Sequence, residues 1–318
     1  MAGPRDRTTA TPTVEVKGFR KLYGDFVAVD DIAFEVRPGE IFGLLGPNGA
    51  GKTSTLECLE GLRAPDAGTL RVGGIDPSRE PRRLRDVIGV QLQSAGLPDS
   101  ITPEETMRLF CAYHRVPPRY DLLDRLGLQE KRGSQYAKLS GGQQRRLALA
   151  IAVAHDPQVL FLDEPTAGLD VASRVELHDV MRERQTDGST IVLATHDMAE
   201  AEEMADRVAI LLHGRIAAIG TPREITATGA GLTRISVRTE GDSLTASELR
   251  LPAVERSTHD GEYQIYFSTD IGPTVAAIID HVQGRDDTLV DLRVERPSLE
   301  ERFLEITNAK RPDGVEDR

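Results

Sequence analysis

The stretch from Gly43 to Glu57, GLLGPNGAGKTSTLE, constrains this chain more than any other part of its sequence. A glycine-rich loop there joins the apolar run IFGLLG, which predicts a fully buried strand, to a helix-like segment. Flexible residues directly behind a buried strand, followed by a lysine, are typical of backbone that folds around an anion. The order of strand, glycine loop and helix therefore predicts a phosphate-binding loop in an α/β fold.

The loop from Gly46 to Thr53 matches the pattern G-x-x-x-x-G-K-[ST] in full. Its glycines let successive backbone N–H groups turn toward an anion at a helix N-terminus, where the helix dipole adds positive charge. Lys52 is expected to reach the β and γ phosphates of a nucleoside triphosphate, and the Thr53 hydroxyl is expected to bind Mg²⁺. The residues expected to bind this nucleotide are Gly46, Pro47, Asn48, Gly49, Ala50, Gly51, Lys52, Thr53 and Ser54.

Two acidic residues, Asp163 and Glu164, follow a second buried strand in the run VLFLDEP. In an α/β sheet, the carboxyl ends of the strands form the edge at which ligands bind. We expect Asp163 to bind the Mg²⁺ ion through water, and Glu164 to orient or deprotonate the attacking water. An acidic pair after a strand is by itself often a surface turn, so this interpretation depends on the preceding phosphate loop.

A second predicted anion-binding helix start lies in KLSGGQQRRLALA. Ser140 is the expected N-cap, and Gly141 and Gly142 fall in the first helical turn. One phosphate group does not need two such loops from a single subunit. The sequence therefore predicts two subunits, each of which offers its second loop to the nucleotide of the other.

Composition narrows the class of protein. Of the 318 residues, 39% are hydrophobic and 28% are charged, as in an ordinary globular protein. The net charge of −12 argues against nucleic acid as the main partner, because binding of a nucleic-acid backbone usually leaves a basic surface. The polar N-terminus lacks the apolar core of a signal peptide, and no apolar run approaches the length that spans a bilayer. We expect a soluble chain whose membrane crossing, if it has one, another polypeptide provides.

Buried strands alternate with helical segments over residues 13–222, which predicts an α/β domain with a mostly parallel sheet. Within it, a helical subdomain is expected over about 97–150, and Thr102 and Glu105 form a predicted capping box. A small α+β C-terminal domain is expected over 230–308, with strands at Arg234 to Val237 and near Leu251. Residues 1–12 and 309–318 are predicted to be disordered tails.

The motif LSGGQ, between GPNGAGKT and VLFLDEPTAGLD, resembles the ATP-binding cassette (ABC) family over residues 13–222. The resemblance implies a P-loop NTPase-type nucleotide-binding domain that binds ATP and Mg²⁺. It also implies that the signature residues act on the nucleotide of a second subunit. These residues are Leu139, Ser140, Gly141, Gly142 and Gln143.

The same resemblance implies roles for four further residues. Tyr23, in KLYG, matches an aromatic residue that stacks on adenine, and Asp170, in AGLD, matches a loop that contacts the partner subunit. Gln93, in IGVQLQ, matches a glutamine that senses Mg²⁺ and the attacking water and couples to the membrane subunit; Gln91 is a competing candidate. His196 matches a switch histidine that contacts the γ-phosphate.

The C-terminal run LVDLRVERPSLEERFLEIT resembles the extension found in bacterial export ATPases of the daunorubicin-resistance-like group. This implies an ATP-hydrolysing subunit that energises export of a small molecule or lipid through a separate integral-membrane permease. Such a subunit lies peripherally at the cytoplasmic face of the membrane and pairs with a second copy of itself or a related ATPase.

Two alternatives stay open at this point. An ABC import ATPase is the first, although importers often carry all-β C-terminal domains, whereas this segment predicts helices between its strands. A non-transport ABC ATPase acting on ribosomes or DNA is the second. Such proteins carry two cassettes or long coiled coils, which this sequence does not predict.

Overall fold

A computed structural model describes residues 11–92, 96–227, 232–241, 243–244, 250–295 and 298–309. Thirteen strands are found in these residues: β1 (Val14–Tyr23), β2 (Phe26–Val36), β3 (Ile41–Leu45), β4 (Ala67–Val72), β5 (Ile88–Gln91), β6 (Val159–Asp163), β7 (Thr190–Thr195), β8 (Arg207–Leu212), β9 (Arg215–Gly220), β10 (Thr233–Thr239), β11 (Val254–Asp260), β12 (Tyr263–Ser268) and β13 (Leu289–Glu295).

Ten α-helices are found in the same described residues. They are α1 (Lys52–Leu59), α2 (Pro81–Arg85), α3 (Pro103–Tyr113), α4 (Tyr120–Arg125), α5 (Gly141–Val153), α6 (Val171–Thr186), α7 (Met198–Met204), α8 (Pro222–Ala227), α9 (Ile271–Gln283) and α10 (Leu299–Ala309). Short 3₁₀ turns lie at Gln129–Lys131 and Tyr136–Lys138.

A six-stranded sheet with the order β5-β6-β7-β3-β8-β9 forms the centre of the first unit. Its pairs are parallel except for β9, which runs antiparallel to β8. The strands β3, β6 and β7 are buried throughout, as expected for parallel strands covered on both faces. The predicted α/β class with a mostly parallel sheet is confirmed.

Strand register brings three chain segments to one edge of this sheet. Leu45, the last residue of β3, pairs with Thr195, the last residue of β7. Asp163, the last residue of β6, pairs with Ala194. Because these strands are parallel and end at the same level, the residues that follow each of them emerge together at the carboxyl edge of the sheet.

An antiparallel three-stranded sheet, β2-β1-β4, packs beside this core and was not predicted as a separate layer. Phe34 of β2 stacks on Phe42 of β3, with ring centroids 5.1 Å apart. The two belong to one cluster of buried apolar side chains that also includes Leu56 and Leu59 of α1. Helix α1, which follows the phosphate loop, therefore shares a buried apolar cluster with both sheets.

The predicted helical segment contains α3, α4 and α5. Thr102 accepts a hydrogen bond from the backbone of Glu105, whose carboxylate accepts one from the Thr102 backbone, so the predicted capping box is confirmed. Pro103 occupies the first helical position, where its missing N–H costs nothing. In the described part of the chain, no helix has the length and apolar character needed to cross a membrane.

Contacts between Cα atoms divide the chain into two units, which meet at Thr221 and Pro222. In the second unit, four antiparallel strands form a sheet in the order β11-β12-β10-β13. Ile235 and Val237 of β10 pack against Ile278 and Val282 of α9, which lie four residues apart on one helix face.

Two details of this unit differ from the sequence analysis. The strand expected near Leu251 begins three residues later, at Val254, because Pro252 and the left-handed Ala253, with φ 60°, precede it. The strand expected at Arg234 to Val237 extends over Thr233–Thr239. The predicted tails lie outside the described residues, apart from positions 11 and 12 and position 309.

Removal of the second unit tests whether the cassette is independent of it. Helix α8 packs on α10, so a truncation after Thr221 keeps each unit intact. A truncation near Thr228 would instead leave α8 on the cassette without α10, the helix that it packs against. We expect residues 1–221 to fold and to bind ATP with an affinity within about twofold of the full chain. Calorimetric titration of both proteins measures this affinity. A fragment that folds but does not bind ATP would contradict the prediction.

Candidate nucleotide-binding and hydrolysis site

The predicted phosphate loop connects β3 to α1 and needs glycine at two positions for steric reasons. Gly46 has φ 154°, and a Cβ there would lie 2.4 Å from the carbonyl oxygen of Leu211. Gly51, the N-cap of α1, has φ 105°, and its Cβ would lie 2.7 Å from the carbonyl oxygen of Ala28. A side chain at either position would clash with a backbone carbonyl, so the observed loop conformation requires glycine at both.

Lys52, the first residue of α1, is buried, and its ammonium folds back over the loop. Nζ donates to the carbonyl oxygen of Gly46 at 2.7 Å and to that of Pro47 at 3.3 Å. The nearest carboxylate oxygen, Oε1 of Glu164, is 3.7 Å away. Burial lowers the pKa of Lys52, and the charges of Glu164 and Asp163 oppose that shift. The site thus holds a buried cation in contact with the loop carbonyls.

Asp163 and Thr53 form the part of the site suited to a divalent cation. The Thr53 hydroxyl donates to Oδ2 of Asp163 at 3.0 Å. The other oxygen, Oδ1, is buried and has no hydrogen-bond partner among the described residues. Burial raises the pKa of Asp163, the Thr53 hydrogen bond opposes that shift, and the Glu164 charge adds to it. A hydroxyl and an unpartnered carboxylate oxygen are the hard ligands that Mg²⁺ prefers, so these residues fit that ion.

Glu164 is held at several points. Its backbone has φ 52°, a left-handed conformation that is uncommon for a residue with a side chain. The backbone N–H donates to the carbonyl oxygen of Ala194 at 2.9 Å, which ties the strained turn to β7. Nδ1 of His196 lies 2.7 Å from Oε2, within hydrogen-bond distance, while Oε1 faces Lys52. The carboxylate predicted to act on water is therefore fixed between two basic groups.

Arg145 is a contact of this site that the sequence analysis missed. It lies in α5, five residues after Ser140, and its guanidinium donates to the backbone carbonyl of Glu164. The signal available in the sequence was its place in SGGQQRR, one helical turn beyond the signature glycines. Through this bond, the helix that begins at the signature loop contacts the strained residue after β6.

The signature residues form a capped helix start that faces solvent. The Ser140 hydroxyl accepts from the backbone N–H of Gln143 at 3.3 Å, and the Gln143 side chain accepts from the Ser140 backbone at 2.9 Å. Ser140 and Gly141 are exposed, Gly142 is half-buried, and Leu139 is buried. Within the described residues, no hydrogen bond joins this loop to the phosphate loop of the same chain.

Tyr23 and Asp170 are both exposed. The Tyr23 hydroxyl is 3.3 Å from the Ser54 hydroxyl, and the Arg63 guanidinium lies 5.2 Å from its partly exposed ring. Asp170 caps α6 by accepting from the backbone N–H of Ser173, which lowers the pKa of that aspartate.

The predicted glutamine Gln93 lies outside the described residues, so its placement stays a prediction. Gln91, the competing candidate, ends β5 and is buried. Neither polar atom of its amide has a hydrogen-bond partner in the part of the chain that the structure describes.

A phosphate loop after β3, an acidic pair at the end of β6 on the same sheet edge, and a separate capped signature helix together define an ABC-type ATP-binding cassette. A family profile for the ABC transporter matches residues 29–167. The chain is 37% identical over 313 residues to a Nod factor export ATP-binding protein I of Ralstonia nicotianae, with 96% of each chain covered. The chain belongs to the ABC transporter family of ATP-binding proteins.

Two further comparisons support the same assignment. A daunorubicin resistance ATP-binding protein of Streptomyces coeruleorubidus is 34% identical, over 95% of this chain and 98% of the relative. A solved ATP-binding subunit of an ABC transporter superposes with a TM-score of 0.64 at 30% identity, over 68% of this chain and 92% of that one. Proteins of this family hydrolyse ATP, and this chain is an ATPase.

Replacement of Lys52 by alanine tests the assignment of the phosphate loop. The change removes a buried cation and the charge-assisted hydrogen bonds that it is expected to donate to the β and γ phosphates, each worth about 1.5–3 kcal/mol. We expect the affinity for ATP to fall by about 100-fold or more. Titration with a fluorescent ATP analogue measures this, with Lys131→Ala as a matched control at an exposed lysine. Equal affinity in Lys52→Ala and the wild type would show that the loop does not bind the nucleotide as assigned.

Proposed function

We propose that this chain is the ATP-hydrolysing subunit of an exporter, which energises passage of a small molecule or lipid through a separate membrane permease. It acts at the cytoplasmic face of the membrane, as a dimer with a second copy of itself or a related ATPase. One observation carries the hydrolytic part of this proposal. At a single sheet edge, the structure brings Lys52, Asp163, Glu164 and His196 together.

The choice of export over import is supported by relatives that match nearly the whole chain. One relative named for Nod factor export aligns over 96% of this protein, and one named for daunorubicin resistance aligns over 95%, which includes its C-terminal unit. That unit contains α9 and α10 between and after its strands, unlike the all-β extension that the importer alternative would favour.

Hydrolysis follows from the position of Glu164. Its carboxylate is buried beside the loop that receives the γ-phosphate, so it accepts a proton from, or orients, the water that attacks that phosphate. His196 holds Oε2 at 2.7 Å, which leaves Oε1 to face the reacting atoms. Lys52, which bonds to loop carbonyls here, exchanges those oxygens for phosphate oxygens when ATP binds.

Mg²⁺ is the cofactor that the remaining donors fit. Thr53 and Asp163 would hold it, with the unpartnered Oδ1 of Asp163 as the free oxygen. When bound, the ion neutralises charge on the β and γ phosphates. Gln93 is a further residue proposed to lie near this ion, as the family resemblance implies.

The signature loop completes the site of a second subunit. Ser140 and Gly141 are exposed and the N-terminus of α5 is free of acidic side chains in its first turn, so this helix start is suited to a phosphate. ATP held by Lys52 of one subunit then also contacts Ser140 of the other. Because ATP binds both sides of the interface, it stabilises the dimer, and hydrolysis releases it. Asp170 contacts the partner at the same interface.

Glu164→Gln separates ATP binding from hydrolysis. Glutamine keeps the size of the side chain but cannot accept a proton, so we expect turnover to fall by about 100- to 10,000-fold while ATP binding survives. The variant should be a dimer with ATP and a monomer with ADP. Light scattering coupled to size exclusion, at high protein concentration, measures both states beside a phosphate-release assay.

Adding Ser140→Arg to this variant should abolish the ATP-dependent dimer, because the new side chain fills the place of the partner's phosphate. Ser78→Arg, the same change at another exposed serine, is the matched control and should leave the dimer intact. A Glu164→Gln protein with wild-type turnover would identify a different catalytic residue. Tight ATP binding with no association, even beside the permease, would contradict the shared site.

A further inference from the structure

Three buried polar side chains from different chain segments meet at a carboxyl group that the proposed hydrolysis does not use. Glu200 of α7 is 2% exposed, Thr166 is 4% exposed and His178 of α6 is 5% exposed. The Thr166 hydroxyl donates to Oε1 of Glu200 at 2.6 Å, and Nε2 of His178 lies 3.3 Å from the same oxygen. Glu200 therefore links α6 and α7 to the loop that contains Thr166.

The carboxyl group of Glu200 is costly to bury. Its second oxygen, Oε2, is buried without a hydrogen-bond partner among the described residues. A polar atom of this kind lowers stability, and apolar side chains of similar volume would fill the same space without that cost. Such groups are expected where function, and not stability, selects the residue type.

Thr166 lies in the short segment 164–170, which joins β6 to α6. The backbone N–H of Ala167 donates to the carbonyl oxygen of Glu164 at 3.4 Å, so the segment begins with a turn. Glu164 is the first residue of this segment, and Asp170, the N-cap of α6, is the last. The hydrogen bond from Thr166 therefore anchors the segment between the carboxylate proposed to act on water and the residue proposed to contact the partner.

Glu200 also takes part in the start of α7. Asp197 is the N-cap of this helix and accepts from the backbone N–H of Glu200 at 3.0 Å. The backbone N–H of Asp197 in turn donates to the hydroxyl of Thr195, the last residue of β7, at 3.0 Å. His196 lies between these two residues, and its Nδ1 is 2.7 Å from Oε2 of Glu164. Both His196 and Glu200 thus contact the segment after β6.

We propose that Glu200 is a positioning residue for ATP hydrolysis, which acts through Thr166 to hold Glu164 beside His196. Two contacts join the segment after β6 to the start of α7, one at the site and one in the interior. One contact alone would leave the segment free to rotate about it, whereas two contacts fix its orientation. The proposal rests on the proposed function, since it assigns a support to the carboxylate that acts on water.

Substitution of Thr166 in the full chain separates the hydroxyl from the shape of the side chain. Thr166→Val keeps the shape and removes the hydroxyl. We expect kcat for ATP hydrolysis to fall by about 10- to 100-fold, because a small displacement of a reacting group has an effect of this size. The KM for ATP should stay within about twofold, because the loop that binds the phosphates is unchanged.

Thr166→Ser is the conservative variant. It keeps the hydroxyl but loses a buried methyl group, so we expect a lower melting temperature with kcat within about threefold of the wild type. Thr106→Val is the matched control and should keep kcat within about twofold. Thr106 is also buried, and its hydroxyl donates to the Thr102 carbonyl within the region of α3 at 2.8 Å. Turnover that follows the melting temperature and not the hydroxyl would overturn the proposal.

Substitution of Glu200 tests the acceptor of the same hydrogen bond. Glu200→Gln keeps an oxygen that accepts from Thr166, so we expect kcat within about threefold of the wild type. Glu200→Leu removes the acceptor and should lower kcat as far as Thr166→Val does. If Glu200→Leu does not fold, the two Thr166 variants decide the question. A Glu200→Leu protein with wild-type kcat, or a Glu200→Gln protein as slow as Glu200→Leu, would contradict the proposed role.

The Glu164→Gln background shows whether Thr166 acts through Glu164. There the carboxylate that Thr166 positions is absent, so Thr166→Val should change the residual turnover by less than about twofold. An equal fall in both backgrounds would mean that Thr166 acts independently of Glu164, and the proposal would be wrong. If Glu164→Gln alone keeps wild-type turnover, the catalytic residue of the proposed function fails as well. If Glu164→Gln is slow and Thr166→Val is not, only the positioning role fails.

Discussion

The burial of a lysine ammonium is the constraint on which the rest of the site depends. Lys52 is buried at the start of α1, and burial alone disfavours its charged form. Two loop carbonyls and the nearby Glu164 carboxylate offset that cost in the free subunit. Phosphate oxygens are stronger acceptors for the same ammonium than neutral carbonyls, and this difference is the basis of the proposed role of Lys52.

The position of Glu164 shows how the sheet serves the chemistry. The strands β3, β6 and β7 are parallel and end at one level, so the residues that directly follow them lie close together. No long loop is needed to bring these residues to the site. Glu164 keeps a left-handed backbone that is uncommon for its residue type, and contacts from Ala194, Arg145 and His196 hold it there.

The same first unit separates two kinds of acidic group. Asp163 and Glu164 are buried beside partners that match their chemistry, a hydroxyl, an ammonium and an imidazole. Glu60 is equally buried but faces apolar walls, with no hydrogen-bond partner among the described residues. The first pair therefore has polar or charged neighbours that offset its burial, whereas Glu60 has no such neighbour within hydrogen-bond distance among the described residues.

Motif spacing alone predicted the α/β class, the phosphate loop, the acidic pair and the capped helices at Thr102 and Ser140, because each depends on local geometry within a few residues. The strand β11 begins later than predicted, because the left-handed backbone of Ala253 cannot be recognised from the pattern of apolar residues. Arg145 contacts Glu164, which lies far from it in sequence. Glu60 is buried without a hydrogen-bond partner among the described residues. Only the tertiary structure decided these, since the neighbours of a buried side chain are set by strand order and register, not by its own sequence.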